Sequence, residues 1–226
     1  MKNFYSSLDK DSINLKNLSE RDTMYNRFDK QQKEFFHSIQ DNIFTYCEAT
    51  SGSGKTITAT AAMLDLLANG NIDHIVYIRY ADDRSKSIGY FPGTLEEKTC
   101  IYWAPLYDAL EELGLTPEMI QLMENEELLQ ESLDISMRGI NLKRCGVIID
   151  EVQNFEVEDL RLVFTRNHDN NHIVAIGDGK QKDNKKASNN YKDYCEYLAN
   201  SSVGNKVELI NNYRGLFSKL AENYQM

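Results

Sequence analysis

The sequence predicts an α/β fold with a mostly parallel central sheet. Three observations lead to it: short β-type runs recur along the chain, helical stretches separate them, and two of the runs are apolar throughout. Those two are Ile75-Val76-Tyr77-Ile78 and Val147-Ile148-Ile149. A strand solvated on one face alternates apolar and polar residues, so an unbroken apolar run marks a strand covered on both faces. Strands alternating with helices give a parallel sheet with helices packed on it.

The elements follow in order. Residues 1–26 are polar, rich in Asn, Ser, Asp and Lys, and read as an N-terminal extension. Residues 27–226 read as one domain, because no repeat or long low-complexity linker divides them. Phe28, Phe35, Phe36 and Ile39 recur at helical spacing, which predicts a helix before the first strand. Strands are expected at Ile43 to Glu48, His74 to Arg79, Cys145 to Asp150, His172 to Gly177 and Lys206 to Ile210. Ile57 to Ala68 is Ala- and Leu-rich and closes on Asn69-Gly70, a helix stop. Thr94 with Glu97 fits a capping box after the Pro92-Gly93 turn, and Pro105 suits the first turn of a separate helix carrying Leu106, Leu110 and Leu113. Met119 to Leu133 reads as an acidic amphipathic surface helix.

Composition narrows the function classes. A chain of 226 residues with 41% hydrophobic content builds a proper core, which excludes global disorder. No apolar run reaches bilayer length, and the opening residues have no signal-peptide stretch. Cys47, Cys100, Cys145 and Cys195 are widely spaced without a C-x-x-C pair, a usage that fits a reducing cytoplasm better than a disulfide framework or metal site. The net charge of −10 argues against indiscriminate nucleic-acid binding, which rests on a positive field.

The chemistry starts at Ala49-Thr50-Ser51-Gly52-Ser53-Gly54-Lys55-Thr56, a small-residue loop between a strand and a helix. Such a loop turns successive backbone N–H groups toward one anion, and the helix N-terminus adds partial positive charge. Thr50 to Thr56 are therefore the expected nucleotide contacts, with Lys55 reaching the β- and γ-phosphates and the Thr56 hydroxyl binding Mg²⁺. Ala49 stands where the phosphate-loop pattern usually has glycine, which is tolerated if its φ is negative. A second strand ends in Asp150-Glu151: Asp150 is expected to hold Mg²⁺, and Glu151 to polarise the attacking water. A third ends in Gly177-Asp178, followed by Gln181, placed by the same rim to touch the γ-phosphate or the water. These features predict a three-layer P-loop nucleoside triphosphatase.

From about Phe28 to Tyr224 the sequence resembles the PhoH family of P-loop ATPases, related to the superfamily 1 helicase core. The residues that carry this are Gly89-Tyr90-Phe91-Pro92-Gly93-Thr94-Leu95-Glu96-Glu97-Lys98, Pro105-Leu106-Tyr107-Asp108-Ala109-Leu110, Met137-Arg138-Gly139, Asp150-Glu151-Val152-Gln153-Asn154, Phe164-Thr165-Arg166 and Gly177-Asp178 with Gln181. The resemblance implies a RecA- or helicase-like fold, ATP as substrate with Mg²⁺, and adenine reading by Gln32. It also matches Arg79 to the arginine after the second strand and implies that Arg214 serves as an arginine finger. The family's second arginine after Gly139 is replaced by Ile140-Asn141, and the histidine after its C-terminal arginine by Gly215.

RNA or single-stranded DNA is the implied partner. Arg84 with Lys86, and Lys180, Lys182, Lys185 and Lys186, form the local basic groups, with Tyr80, Tyr90 and Tyr191 as candidate stacking residues. A single core domain further predicts a homo-oligomer, such as a ring, in which Arg214 or Arg166 acts on a neighbour's nucleotide. The alternatives are a nucleotide-gated scaffold with little turnover and a small-molecule P-loop kinase, for which no Arg-rich lid is visible.

Overall fold

The computed structural model describes residues 24–80, 95–132, 142–179 and 190–217, and of residues 95–100 the backbone alone. Gln181, both basic groups, Tyr90, Met137 to Gly139 and the signature residues before Leu95 lie outside the described residues.

Helix α1 (Lys30–Asp41) starts at a capping box: the Asp29 carboxylate accepts from the Gln32 N–H, and the Gln32 side chain accepts from the Asp29 N–H. It buries Phe35, Phe36 and Ile39. Strand β1 (Phe44–Ala49) leads into α2 (Lys55–Ala68), whose Ala59, Ala61 and Ala62 are buried and let the helix approach the sheet closely. Then come β2 (His74–Arg79), α3 (Leu95–Glu112), α4 (Pro117–Asn125), β3 (Leu129–Ser132) and β4 (Cys145–Asp150). A 3₁₀ turn at Val152–Asn154 precedes α5 (Val157–Phe164), β5 (His172–Gly177), α6 (Asn190–Ala199) and β6 (Gly204–Leu209).

The strands form one six-stranded sheet in the order β3-β2-β4-β5-β1-β6, and every pairing is parallel. Its two faces carry two cores, as the unbroken apolar runs require. Tyr77, Ile148 and Val174 face α1, α2 and α3, and Val76, Ile78, Val147 and Ile149 face α5 and α6. The result is the three-layer α/β architecture.

Two expectations are corrected. Pro105 does not open a new helix but lies inside α3. The bond it removes is the one the Ile101 carbonyl would accept, at a residue that is 65% exposed. The acidic helix ends at Asn125, and Leu129–Ser132 is a strand paired to β2, with Ile75 opposite Leu129. Pairing against β2 overrode the local acidic, helix-like pattern.

Register fixes the rim on which the chemistry sits. Arg79 is level with Asp150, Asp150 with Ile176, and Ile176 with Cys47. The carboxyl ends of β2, β4, β5 and β1 therefore open on one edge. The chain after β1 crosses to β2 on the far side of β4 and β5, and β6 returns to the other flank of β1. That makes the end of β1 a topological switch point, where open parallel sheets bind ligands.

Candidate nucleotide site

The loop after β1 is built as the sequence requires. Ala49 belongs to β1 and is buried, so its methyl group sits in extended backbone without strain. Positive φ falls instead on Gly52 (70°) and Gly54 (76°). A Cβ on Gly54 would stand 2.5 Å from the Gln32 amide nitrogen, and one on Gly52 would stand 2.7 Å from Arg214 Cγ. Gly54 is the N-cap of α2, and no side chain caps that helix. Its first N–H groups are thus left for another acceptor. The Ser53 hydroxyl is buried with no hydrogen-bond partner. An uncapped helix start, an orphaned buried hydroxyl and two glycines without room for a Cβ fit a phosphate chain.

Each expected residue among those described has a definite place. Lys55 Nζ lies 3.7 Å from Glu151 Oε1, and Arg79 Nη2 lies 3.9 Å from the same oxygen. The strand ends thus bring Lys55 and Glu151 together across the sheet. Asp150 is fully buried; it accepts from Tyr77 Oη at 2.5 Å and from the Glu151 N–H at 2.9 Å. Burial raises the proton affinity of Asp150, and the Glu151 charge adds to it, against the opposing pull of Lys55, Tyr77 and Arg79. A carboxylate held there suits a bound cation, and Asp150 and Thr56 carry the oxygen ligands Mg²⁺ prefers.

Glu151 has left-handed backbone (φ 56°), an unusual conformation for a residue other than glycine. Strain of this kind persists where surrounding contacts enforce it. The enforcing side chain is Gln153: its amide donates to Glu151 Oε2 at 2.6 Å and accepts from the Asp178 N–H at 3.1 Å. Gln153 is completely buried. It ties the end of β4 to the end of β5, a role the sequence did not reveal, because a glutamine after two acids gives no signal of its own.

Gln32 is committed at both ends of its amide, donating to the Ser53 carbonyl at 3.1 Å and accepting from the Asp29 N–H at 3.1 Å. Thr50 spends its N–H and hydroxyl on the Leu209 carbonyl, at 2.9 and 3.3 Å, tying the loop to β6. Arg214 donates to Ser51 Oγ at 2.8 Å, and the Tyr213 N–H donates to the Gly52 carbonyl at 2.8 Å. Arg214 therefore meets the phosphate loop of its own chain. Arg166 is exposed in the turn after α5. Tyr80 packs edge-on against Phe155 with ring centroids 5.5 Å apart, and Tyr191 is buried at 4% exposure. Of these two stacking candidates Tyr191 is a core residue, and Tyr80 is half-buried against the α5–α6 layer.

Two clefts open on this rim. One of about 470 Å³ is lined by Phe28, Gln32, Gly54, Lys55, Thr56 and Arg214. The other, about 530 Å³, is lined by Glu48, Thr50, Asp178, Lys192 and Glu208 on the α6 side. Both linings mix charges, with Asp108 and Glu112 in the first and Lys192 in the second, but of the two the first holds Lys55, Arg214 and the start of α2, which attract a polyphosphate. The first is therefore the candidate nucleotide cleft. Among the described residues no cluster of three or more His, Cys, Asp or Glu forms a metal site, and no helix is long and apolar enough to cross a membrane. Cys47, Cys145 and Cys195 are free and buried.

Comparison with known proteins agrees with the geometry. The family described as PhoH-like protein matches residues 26–213. The chain is 34% identical over 154 residues to a PhoH-like protein of Synechocystis, covering 68% of this chain and 46% of that one. It is 32% identical over 152 residues to a PhoH-like protein of Bacillus subtilis (67% and 47%), and 26% identical over 153 residues to Protein PhoH of Escherichia coli (67% and 43%). The aligned part spans about half the length of these curated relatives. With the matched region running from the helical turn before α1 to the residue before Arg214, this chain belongs to the PhoH-like family.

Proposed function

We propose that this protein binds ATP with Mg²⁺ and hydrolyses it to ADP and phosphate. One observation carries the reading: Lys55, at the uncapped start of α2, lies 3.7 Å from the Glu151 carboxylate at the end of another buried strand. A phosphate-binding cation and a strained, buttressed carboxylate on one rim are the two halves of phosphoryl transfer to water.

The chain's own groups take these roles. The α2 N–H groups and Lys55 bind the phosphates. Glu151 orients the attacking water and takes its proton as the oxygen reaches the γ-phosphorus. Gln153 holds Glu151 in place, and Arg214, anchored on Ser51, supplies positive charge from the other side of the loop. Asp150 and Thr56 would hold Mg²⁺, which would supply positive charge against the phosphate chain.

The coupling we propose is to RNA or single-stranded DNA. Support comes from the family resemblance and from topology: both basic segments follow residues of this rim, Tyr80 after β2 and Gly179 after β5. A homo-oligomer is proposed with it, since the described residues build one core domain around one sheet. Phosphate release measured with and without single-stranded RNA, across protein concentrations, tests all three. Release lost in Lys55→Ala and Glu151→Gln supports the ATPase. Nucleotide binding without release favours a nucleotide-gated scaffold instead.

A further inference from the structure

The segment that carries Arg214 is held by the start of α1. Asp29 Oδ1 caps the helix, accepting from the Gln32 N–H at 2.8 Å. Its other oxygen, Oδ2, accepts from Asn211 Nδ2 at 2.7 Å and from the Tyr213 hydroxyl. Beside it, Gln31 Oε1 accepts from the Ile210 N–H at 3.3 Å. The far end of the same segment grips the phosphate loop through the Tyr213 N–H on the Gly52 carbonyl and Arg214 Nη1 on Ser51 Oγ. Tyr213 and Arg214 line the nucleotide cleft opposite Gln32 and Phe28. One carboxylate thus reaches both walls of that cleft: it caps the helix bearing Gln32 and ties down the strap bearing Tyr213.

We infer that Asp29 is a positioning residue for nucleotide binding, holding the 210–214 strap against α1 so that the cleft is assembled before the nucleotide arrives. The inference rests on the ATP-binding reading above. The carboxylate is suited to the task because an ionised acceptor strengthens each bond it takes. Burial acts to raise its proton affinity, but the Gln32 N–H, Tyr213 and Asn211 bonds outweigh this and hold it below the usual carboxylate range. Preorganisation of this kind shows in affinity, since a loose wall must be ordered when ligand binds. Arg214 keeps its own anchor on Ser51 when Asp29 is changed, so turnover at saturation is spared.

The test separates this role from helix capping. Asp29→Ser keeps a capping hydroxyl but is too short to reach Asn211 and Tyr213. Tyr213→Phe leaves the cap untouched and removes one of the same bonds. Each variant, titrated with Mg·ATP, is expected to bind about five- to tenfold more weakly, the scale of a hydrogen bond to a charged group exposed to water. Each is expected to keep kcat within about twofold, and the double variant to bind little worse than the weaker single. Wild-type affinity in both singles overturns the inference, and so do fully additive losses. If Asp29→Ser fails to fold, Tyr213→Phe alone decides. A wild-type protein that binds no Mg·ATP overturns the ATPase reading itself, which is a separate result.

Discussion

Arg214 donates to Ser51 Oγ at 2.8 Å, joining the last described segment of the chain to the loop after the first strand. A side chain on this path reaches the phosphate loop of its own subunit without help from a neighbour. Arg214→Ala is expected to lower ATP turnover by roughly 10³-fold, the lower end for an arginine on the γ-phosphate. Mixing Arg214→Ala with Glu151→Gln protein checks the assignment within one chain. Activity stays lost in the mixture if the arginine serves its own site, and reappears if it serves a neighbour's.

Glu151→Gln keeps the shape of the side chain and loses the base. Hydrolysis is expected to fall by roughly 10²- to 10⁴-fold while ATP binding persists. Paired measurements of phosphate release and of equilibrium nucleotide binding check this. A variant that hydrolyses ATP normally removes Glu151 from the mechanism.

Gln153→Leu tests the brace between β4 and β5. It fills similar volume but gives nothing to Glu151 Oε2 or to the Asp178 N–H, the two bonds the amide makes. A catalytic group displaced by about 1 Å costs up to about 10²-fold, so kcat is expected to fall by about 10- to 100-fold with KM nearly unchanged. Steady-state kinetics across ATP concentration read the split directly.

Gly54→Ala places a methyl group at φ 76°, 2.5 Å from the Gln32 amide nitrogen. The left-handed backbone alone costs about 1–2 kcal/mol, and the displaced Gln32 releases the Ser53 carbonyl. Lower thermal stability together with weaker ATP binding is the expected outcome, followed by thermal melts with and without Mg·ATP.

Glu48 sets an acid-range dependence. Burial raises its proton affinity, but Lys192 at 2.7 Å and Lys206 at 3.4 Å outweigh this and lower it. A carboxyl whose folded value is lowered contributes stability above its unfolded value, and that stability is lost as pH falls through the folded value. Glu48→Gln is therefore expected to be the less stable protein at pH 7, by less than about 1 kcal/mol after screening. The two proteins converge as pH falls through the lowered folded value of Glu48, below the ordinary carboxylate range. Denaturant unfolding at several pH values and salt concentrations checks the sign.

Much of the fold is legible in the sequence. The strands at His74–Arg79, Cys145–Asp150 and His172–Gly177 occupy the bounds their apolar runs indicated. A both-faces-buried strand has a local signature, as do a Gly-rich loop before a helix and an acid pair after a strand. Strand β3 and the unbroken helix through Pro105 were not legible, because each depends on its surroundings: β2 supplies the hydrogen bonds of Leu129–Ser132, and the bond Pro105 removes falls at the exposed Ile101. The sequence alone therefore determined five of the six strands, the small-residue loop before α2 and the acid pair after β4. Tertiary structure decided which of them meet: Lys55 with Glu151, Gln153 between two strand ends, Asp29 with Tyr213, and Arg214 with Ser51. The physical reason is range. Backbone preferences and periodicity act over a few residues and leave a trace in the order of amino acids. A hydrogen bond between residues 29 and 213 depends on the parallel crossover that sets β6 beside β1, and leaves none.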